Sequence, residues 1–183
     1  MNQKSKKRLA LVGFVLAALC ASSSYAADVQ WKGMFGVITA SDDPTTDAAE
    51  NINNPIGQVK SASFAWSVRA GHARVNLNTG AVDFVVHGLV INGQTFSGTT
   101  GPVQTVTGTL VCNAGNNQTE VELDTSDVPI DSQGNARFSG MIQGIPAACT
   151  NPLFLVRIAT IANPENPNGA RGFWIATGTE RTP

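Results

Sequence analysis

The feature of this chain that most constrains its fold is a two-residue alternation of apolar and polar side chains. The stretch GHARVNLNTGAVDFVVHGLV, residues 71–90, shows this alternation on both sides of an Asn-Thr-Gly turn. Because a β-strand points successive side chains to opposite faces, this period predicts strands with one buried face. The sequence has no sustained 3.6-residue period, and Gly and Asn separate the alternating runs. We therefore predict an all-β protein.

We expect these runs to form an antiparallel β-sandwich of about 8–10 short strands. The run LFLVRIATIA, residues 153–162, is almost wholly apolar and predicts a central strand buried on both faces. Residues 76–89 and 129–145 share one plan and predict two similar hairpins, the second within residues 128–144 and turning near residues 132–135. The tryptophans Trp31, Trp66 and Trp174 are expected in the core. Further residues predicted to be buried are Val75, Phe84, Phe138, Phe154 and Val156.

The first 26 residues have the layout of a secretory signal peptide. Positions 4–8 carry four basic residues, an apolar run follows at 9–19, and small residues predict cleavage after Ala26. Residues 27–183 then make a single domain, which we expect in the periplasm or outside the cell. Cys20 leaves acylation as an alternative, although the residue before it is larger than lipoprotein signals prefer.

Charge and hydropathy restrict the partners of the processed chain. Cleavage leaves eight Lys and Arg against 13 Asp and Glu, a net charge of −5. Without a basic cluster we expect no nucleic acid as partner. No apolar run after residue 26 reaches the ~20 residues of a membrane-spanning helix, so we expect no membrane span. A glycan or a protein is the expected class of ligand.

Two cysteines, Cys112 and Cys149, remain after cleavage. In an oxidising compartment they are expected to form a disulfide. Closing that loop is worth about 4 kcal/mol in the chain-entropy model. Since neither cysteine has a neighbouring cation in the sequence to activate a thiolate, we predict a structural bridge and no redox role.

Both histidines of the chain, His72 and His87, flank the turn of the first hairpin. Two strand registers bury its apolar residues. One register pairs Arg74 with Asp83, which have opposite charges. The other turns at residues 78–81 and places His72 directly opposite His87, and this second register is our prediction. Both registers place His72, Arg74, Asp83 and His87 on the outward face, because residues two positions apart on a strand share a face.

These four residues, His72, Arg74, Asp83 and His87, are the candidate polar-face site. Two imidazoles and one carboxylate fall short of the three or four ligands that zinc usually takes. Arg74 beside them would also repel a cation. We therefore expect no metal and no other cofactor, and we assign no catalytic residue.

Carboxylates elsewhere suggest two further sites that we do not favour. Glu120, Glu122 and Asp124 alternate along one strand face, which is more typical of an exposed strand that resists edge pairing than of a glycosidase pair. The acidic segment 41–55 lacks the spacing of a calcium loop and is expected to be a solvated surface loop.

Several stretches resemble a group of small secreted bacterial proteins without an assigned activity. The resemblance spans roughly residues 63–178. It is carried by FAWSVRAGHARVNLNTGAVDFVVHGLV, VTGTLVCN, VPIDSQGNARFSGMI, CTNPLFLVRIA and WIATG. It implies secretion and a disulfide and supplies no catalytic residues. The first hairpin is also similar to the chordin-type repeat, an alternating hairpin that ends in Gly-Leu and continues with a histidine motif. No histidine follows His87 here, so no metal role carries over.

The sequence thus predicts a secreted, non-enzymatic β-sandwich with a binding or structural role. The alternative is a small secreted hydrolase, or a carbohydrate-active or metal-binding protein, that uses the carboxylates or the histidines. Convergence of polar side chains in one cleft is the feature that separates these functions.

Overall fold

The structure is a computed structural model that describes residues 28–38, 56–93, 95–116, 118–161 and 172–180. The predicted signal peptide with its cleavage site, Cys20 and the acidic segment 41–55 lie outside the described residues. The described residues form eleven strands: β1 (Asp28–Gly36), β2 (Ala65–Ser67), β3 (Ala70–Asn76), β4 (Ala81–His87), β5 (Val90–Asn92), β6 (Val103–Cys112), β7 (Val121–Asp124), β8 (Val128–Pro129), β9 (Ala136–Met141), β10 (Leu153–Ile161) and β11 (Trp174–Glu180). Within these ranges there is no helix long and apolar enough to cross a membrane.

Nine of these strands form one antiparallel sheet in the order β7-β6-β10-β11-β1-β3-β4-β9, with β8 also paired to β6. The strands β2 and β5 pair separately. The large sheet curls, so that β8 contacts β9 and rings from distant strands meet inside. The all-β class is therefore confirmed, whereas a sandwich of two separate sheets stays a prediction.

The core fills the inside of this curl. The rings of Phe84 on β4 and Phe154 on β10 lie 5.5 Å apart, although three strands separate β4 from β10 in the sheet. Gly108 on β6 makes this approach possible, because a Cβ there would lie 2.7 Å from Phe84 and 2.6 Å from Phe154. The two halves of the sheet thus face each other across one hydrophobic core.

Most of the predicted core residues are buried. Trp31, Trp66 and Trp174, together with Val75, Phe84, Phe154 and Val156, are all buried. Phe138 is half-buried and packs on Phe84 with ring centroids 6.0 Å apart, because its strand lies at the end of the sheet. The predicted central strand is also confirmed: β10 lies between β6 and β11, and the consecutive residues 154–156 are all buried.

The first hairpin has the faces that parity predicts, but its predicted register is wrong. Arg74 pairs with Asp83, and His72 lies opposite Val85 instead of His87. The turn occupies residues 77–80 because the Asn76 side chain holds it. Its Oδ1 accepts hydrogen bonds from the backbone N–H groups of residues 78 and 79, at 3.1 and 2.9 Å.

The predicted second hairpin, within residues 128–144, is not formed. β8 pairs with β6, whereas β9 pairs with β4 and places Phe138 opposite Phe84. The chain does reverse at residues 131–135, close to the predicted turn. β8 is only two residues long and ends in Pro129, which has no N–H to offer a ladder. The reversal therefore carries the chain from one end of the sheet to the other.

The predicted disulfide between Cys112 and Cys149 is confirmed. Next to it, the backbone N–H of Asn113 donates to the carbonyl of Thr150 at 2.7 Å. The Asn113 Oδ1 in return accepts from the Thr150 N–H at 3.0 Å and hydroxyl at 2.7 Å. Covalent and hydrogen bonds together fix the end of β6 against the start of β10.

Candidate functional site

The outward surface of four adjacent strands, β1, β3, β4 and β9, carries most of the residues that the sequence singled out. We call this surface the polar face. It consists of Asp28, Gln30, Lys32, His72, Arg74, Asn76, Asp83, Val85, His87, Arg137 and Ser139, and two exposed apolar side chains, Phe35 and Met141, lie near the ends of β1 and β9. The alternate residues of β3 and β4, such as Val75 and Phe84, point into the core. The buried set therefore dictates which side chains the polar face presents.

One half of the polar face is organised around an ion pair. Arg74 forms an ion pair with Asp28, and Asn76 Nδ2 donates to Asp28 Oδ1 at 2.9 Å. The hydrogen bond from Arg74, followed by that from Asn76, lowers the pKa of the Asp28 carboxyl below its ordinary value. An open cleft of about 310 Å³ lies over this pair and is also lined by Asp83 and Ser139.

The other half of the polar face holds both histidines. In the β3–β4 pair, His72 lies opposite Val85 and His87 lies opposite Ala70. The two histidines are therefore diagonal neighbours. This diagonal spacing corresponds to about 7–8 Å between Cα atoms. The two imidazoles line one open cleft of about 510 Å³, together with Arg137. The structure thus brings His72 and His87 to one cleft without making them direct cross-strand neighbours.

A turn residue that the sequence did not single out, Asn135, completes this half. Its Oδ1 lies 3.1 Å from Nδ1 of His87. Asp131 holds it there, since Asp131 Oδ1 accepts the Asn135 N–H at 2.9 Å and Oδ2 accepts from Asn135 Nδ2 at 2.9 Å. The hydrogen bonds from the backbone and side chain of Asn135 lower the pKa of Asp131. The pattern DSQGN indicates such a turn, but nothing local indicates that the turn reaches His87.

Lys32 and Arg137 also belong to the candidate site, and sequence reasoning missed both. Lys32 shares a cleft of about 350 Å³ with His72, Arg74 and Asp83. Arg137 lies opposite Val85 across the β4–β9 pair. Only the pairing of β1 and β9 into the same sheet as the hairpin brings these cations to the histidines. The surface therefore offers cations, imidazoles and amides to a polar ligand.

Metal binding has little support from the geometry of the described segments. Within them, no three His, Cys, Asp or Glu side chains come together in a way that would hold a metal ion. Asp83 is paired across the strands with Arg74, whose positive charge would repel a cation bound to that carboxylate.

The row of carboxylates on and before β7 serves the structure. Arg157 on β10 donates from Nη1 to Glu122 Oε2 at 2.7 Å and lies 3.5 Å from Asp124 Oδ1. Glu120 accepts the N–H groups of Gln58 at 2.7 Å and of Gly115 at 3.0 Å. β7 stands at the end of the sheet, as predicted for an edge strand. These acids therefore join loops and strands and do not line a cleft of the polar face.

Comparison of this chain with protein-family models, curated proteins and solved structures finds no match. The likeness to small secreted bacterial proteins and to the chordin-type repeat stays a hypothesis.

Proposed function

We propose that this chain is exported and acts as a non-enzymatic binding protein in the periplasm or outside the cell. The layout of its first 26 residues supports export. The Cys112–Cys149 disulfide supports an oxidising compartment, where such bonds persist. The curled sheet, whose halves face each other across one core, is compatible with the sandwich that the sequence predicts.

The polar face is the proposed binding surface. The observation that carries this assignment is its construction: four hydrogen-bonded strands hold cations, amides and imidazoles in fixed rows over three adjoining clefts. Because the backbone is already ordered by strand pairing, ligand binding has to order the side chains alone. A surface of this kind suits a polar ligand that makes many hydrogen bonds.

We assign the ligand to the acidic glycans. Val85 in the middle of the polar face is half-buried, and the exposed apolar side chains of these four strands, Phe35 and Met141, lie near the ends of β1 and β9. The middle of the surface therefore has no cluster of the apolar anchors that dominate protein–protein interfaces. Asp28 already neutralises Arg74. Lys32 and Arg137 remain to pair with carboxylate or sulfate groups of a sugar chain.

A glycan array with the purified protein tests this function. Lys32→Gln combined with Arg137→Gln removes two exposed charges without touching the core, and should weaken binding to acidic glycans by about tenfold or more. Lys60→Gln, an exposed lysine outside the polar face, is the matched control and should bind like the wild type. Failure of the wild type to bind any acidic glycan, or equal weakening in the control, contradicts the proposal.

Export is tested separately. The exported protein should begin at Ala27, as determined by amino-terminal sequencing. A blocked amino terminus at Cys20 would instead identify a lipoprotein.

A further inference from the structure

A fourth cleft, apolar and more enclosed, lies away from the polar face. It separates the small β2–β5 sheet from β6 and β10 of the large sheet, and its volume is about 280 Å³. Its main walls are Phe64, Trp66, Ile91, Phe96, Ile158 and Phe173. We call it the aromatic cleft.

The walls of the aromatic cleft are fixed by main-chain hydrogen bonds. Trp66 lies opposite Ile91 in the β2–β5 pair, and its backbone N–H donates to the carbonyl of Val37 at 2.8 Å. On the other side, the carbonyl of Phe96 accepts the N–H of Thr99 at 3.0 Å, and Ile91 N–H donates to the Thr99 carbonyl at 2.8 Å. The cleft is therefore preformed, as binding sites for small molecules usually are.

The composition of the cleft restricts what it can bind. Among the described residues, its lining contains no charged side chain, so these residues offer no counter-ion to the carboxylate of a fatty acid or an acidic peptide. Phe64 and Phe96 remain 43% and 46% exposed, which leaves apolar ring surface for a ligand to cover. Both observations favour a neutral, apolar ligand.

Trp66 contributes apolar ring surface to the cleft. The residue is 4% exposed, and its indole Nε1 is inaccessible to solvent, so a ligand in the open cleft does not reach this nitrogen. Trp66 therefore supports apolar contacts and sets no requirement for a hydrogen-bond acceptor on the ligand.

We propose that the aromatic cleft binds a small, neutral and apolar molecule of one or two rings. The size follows from the volume, since an apolar cavity of about 150 Å³ already holds benzene. A small molecule suits the cleft better than a partner strand, because β2 and β5 pair with each other and the walls converge on a pocket. This site is independent of the polar face and of its proposed glycan.

The test is a titration of the purified protein with Prodan, a neutral naphthalene dye with one ketone. We expect saturable binding with a blue-shifted dye emission. Ser63→Trp places a large ring at an exposed position of the cleft and should abolish binding. Phe96→Ser removes one wall and should also weaken it, so the test does not depend on the folding of one variant. Thermal unfolding of each variant confirms that it is folded.

One further variant is the matched control. Met141→Ser removes an exposed apolar side chain outside the cleft and should leave binding unchanged. Absence of binding to the wild type, or equal binding by the Ser63→Trp protein, overturns the site.

Discussion

Residues 76–80 and 131–135 reverse the chain with nearly the same turn chemistry, yet only the first reversal forms a hairpin. In each, an Asn or Asp side chain accepts backbone N–H groups. In each, a glycine takes a left-handed conformation, with φ of 78° at Gly80 and 79° at Gly134. After the first turn β3 and β4 pair with each other, whereas β8 and β9 pair with β6 and β4.

This difference shows that turn chemistry determines where a chain reverses and does not determine which strands pair. β3 and β4 are seven residues long each, so a ladder between them forms many hydrogen bonds close to the turn. β8 has two residues and cannot support a ladder of its own. β9 gains more from β4, where Phe138 stacks on Phe84.

The largest effect is expected where the two regions meet. Phe84→Ala removes a fully buried ring that packs on Phe138 and Phe154, and should lower the free energy of unfolding by about 3–5 kcal/mol. Phe138→Ala should cost less, because Phe138 is half-buried. Urea denaturation measures both, and equal losses would contradict the assignment of Phe84 to the centre of the core.

The disulfide should stabilise the region of the second reversal, because β7, β8 and β9 all lie inside the loop that it closes. Cys112→Ala should lower the free energy of unfolding by about 2–5 kcal/mol. The double change of both cysteines to alanine is the control for the free thiol that the single variant leaves. Alkylation should find no free thiol in the processed wild-type protein, and two free thiols there would end this prediction.

Gly134 provides a smaller and more local comparison. Gly134→Ala should cost about 1–3 kcal/mol, because its φ is left-handed and a Cβ would lie 2.3 Å from the carbonyl oxygen of Leu89. Gly98 has a similar φ of 80° but open space around it, so Gly98→Ala reports the backbone conformation alone. Thermal or chemical unfolding measures the free energy of unfolding of both variants. Equal losses in Gly134→Ala and Gly98→Ala would show that the close approach of Gly134 to Leu89 adds nothing to the cost.

The smallest expected effect is a difference between the two regions in how their contributions to stability depend on pH and salt. The pKa values of Asp28 and Asp131 are both lowered in the folded protein, the first mainly by Arg74 and the second mainly by the backbone of Asn135. A carboxyl group whose pKa is lower in the folded than in the unfolded protein stabilises the fold at pH values above the unfolded pKa of about 3.9. This stabilisation is lost as pH falls through the folded pKa. Asp28→Asn and Asp131→Asn should therefore each reduce the loss of stability in acid.

Salt should separate these two acids. Added NaCl at about 1 M screens the exposed Asp28–Arg74 pair and should remove most of the Asp28 contribution. The Asp131 contribution depends on hydrogen bonds from backbone N–H groups and should persist. Unfolding curves of both variants and the wild type, at low and high salt from neutral to acid pH, measure the difference. Equal salt sensitivity would contradict this distinction.

The alternation of apolar and polar residues, together with the expected oxidising compartment, was sufficient to predict much of the fold. Parity predicted that Val75 and Phe84 lie inside and His72 outside, because a strand permits no other arrangement once one face is buried. It could not decide the register, since both registers keep parity and the turn depends on the Asn76 side chain. The cysteine pair followed from a signal peptide and an even number of remaining cysteines.

Contacts between distant segments could not be predicted from one sequence. The contact between His87 and Asn135 spans 48 residues and depends on β9 pairing with β4. The aromatic cleft takes Phe64, Ile91 and Ile158 from three separate parts of the chain, none of which has a motif of its own. Alternation along a strand reports which face is buried and contains no information about which other strand lies beside it.

Because of the disulfide, the outcome of proteolysis also depends on where the chain is cut. Cys112 and Cys149 join strands that are already neighbours, β6 and β10, so the bond encloses the polypeptide from residue 113 to residue 148 in a covalent ring. A single cut inside this ring leaves both fragments covalently attached, and non-reducing electrophoresis would show one undivided species. A cut in a connection outside the ring leaves the fragments joined by strand pairing alone. One cleaved peptide bond in the segment that carries β7, β8 and β9 therefore leaves the protein in one covalent piece, whereas one cleavage outside the ring divides it into two.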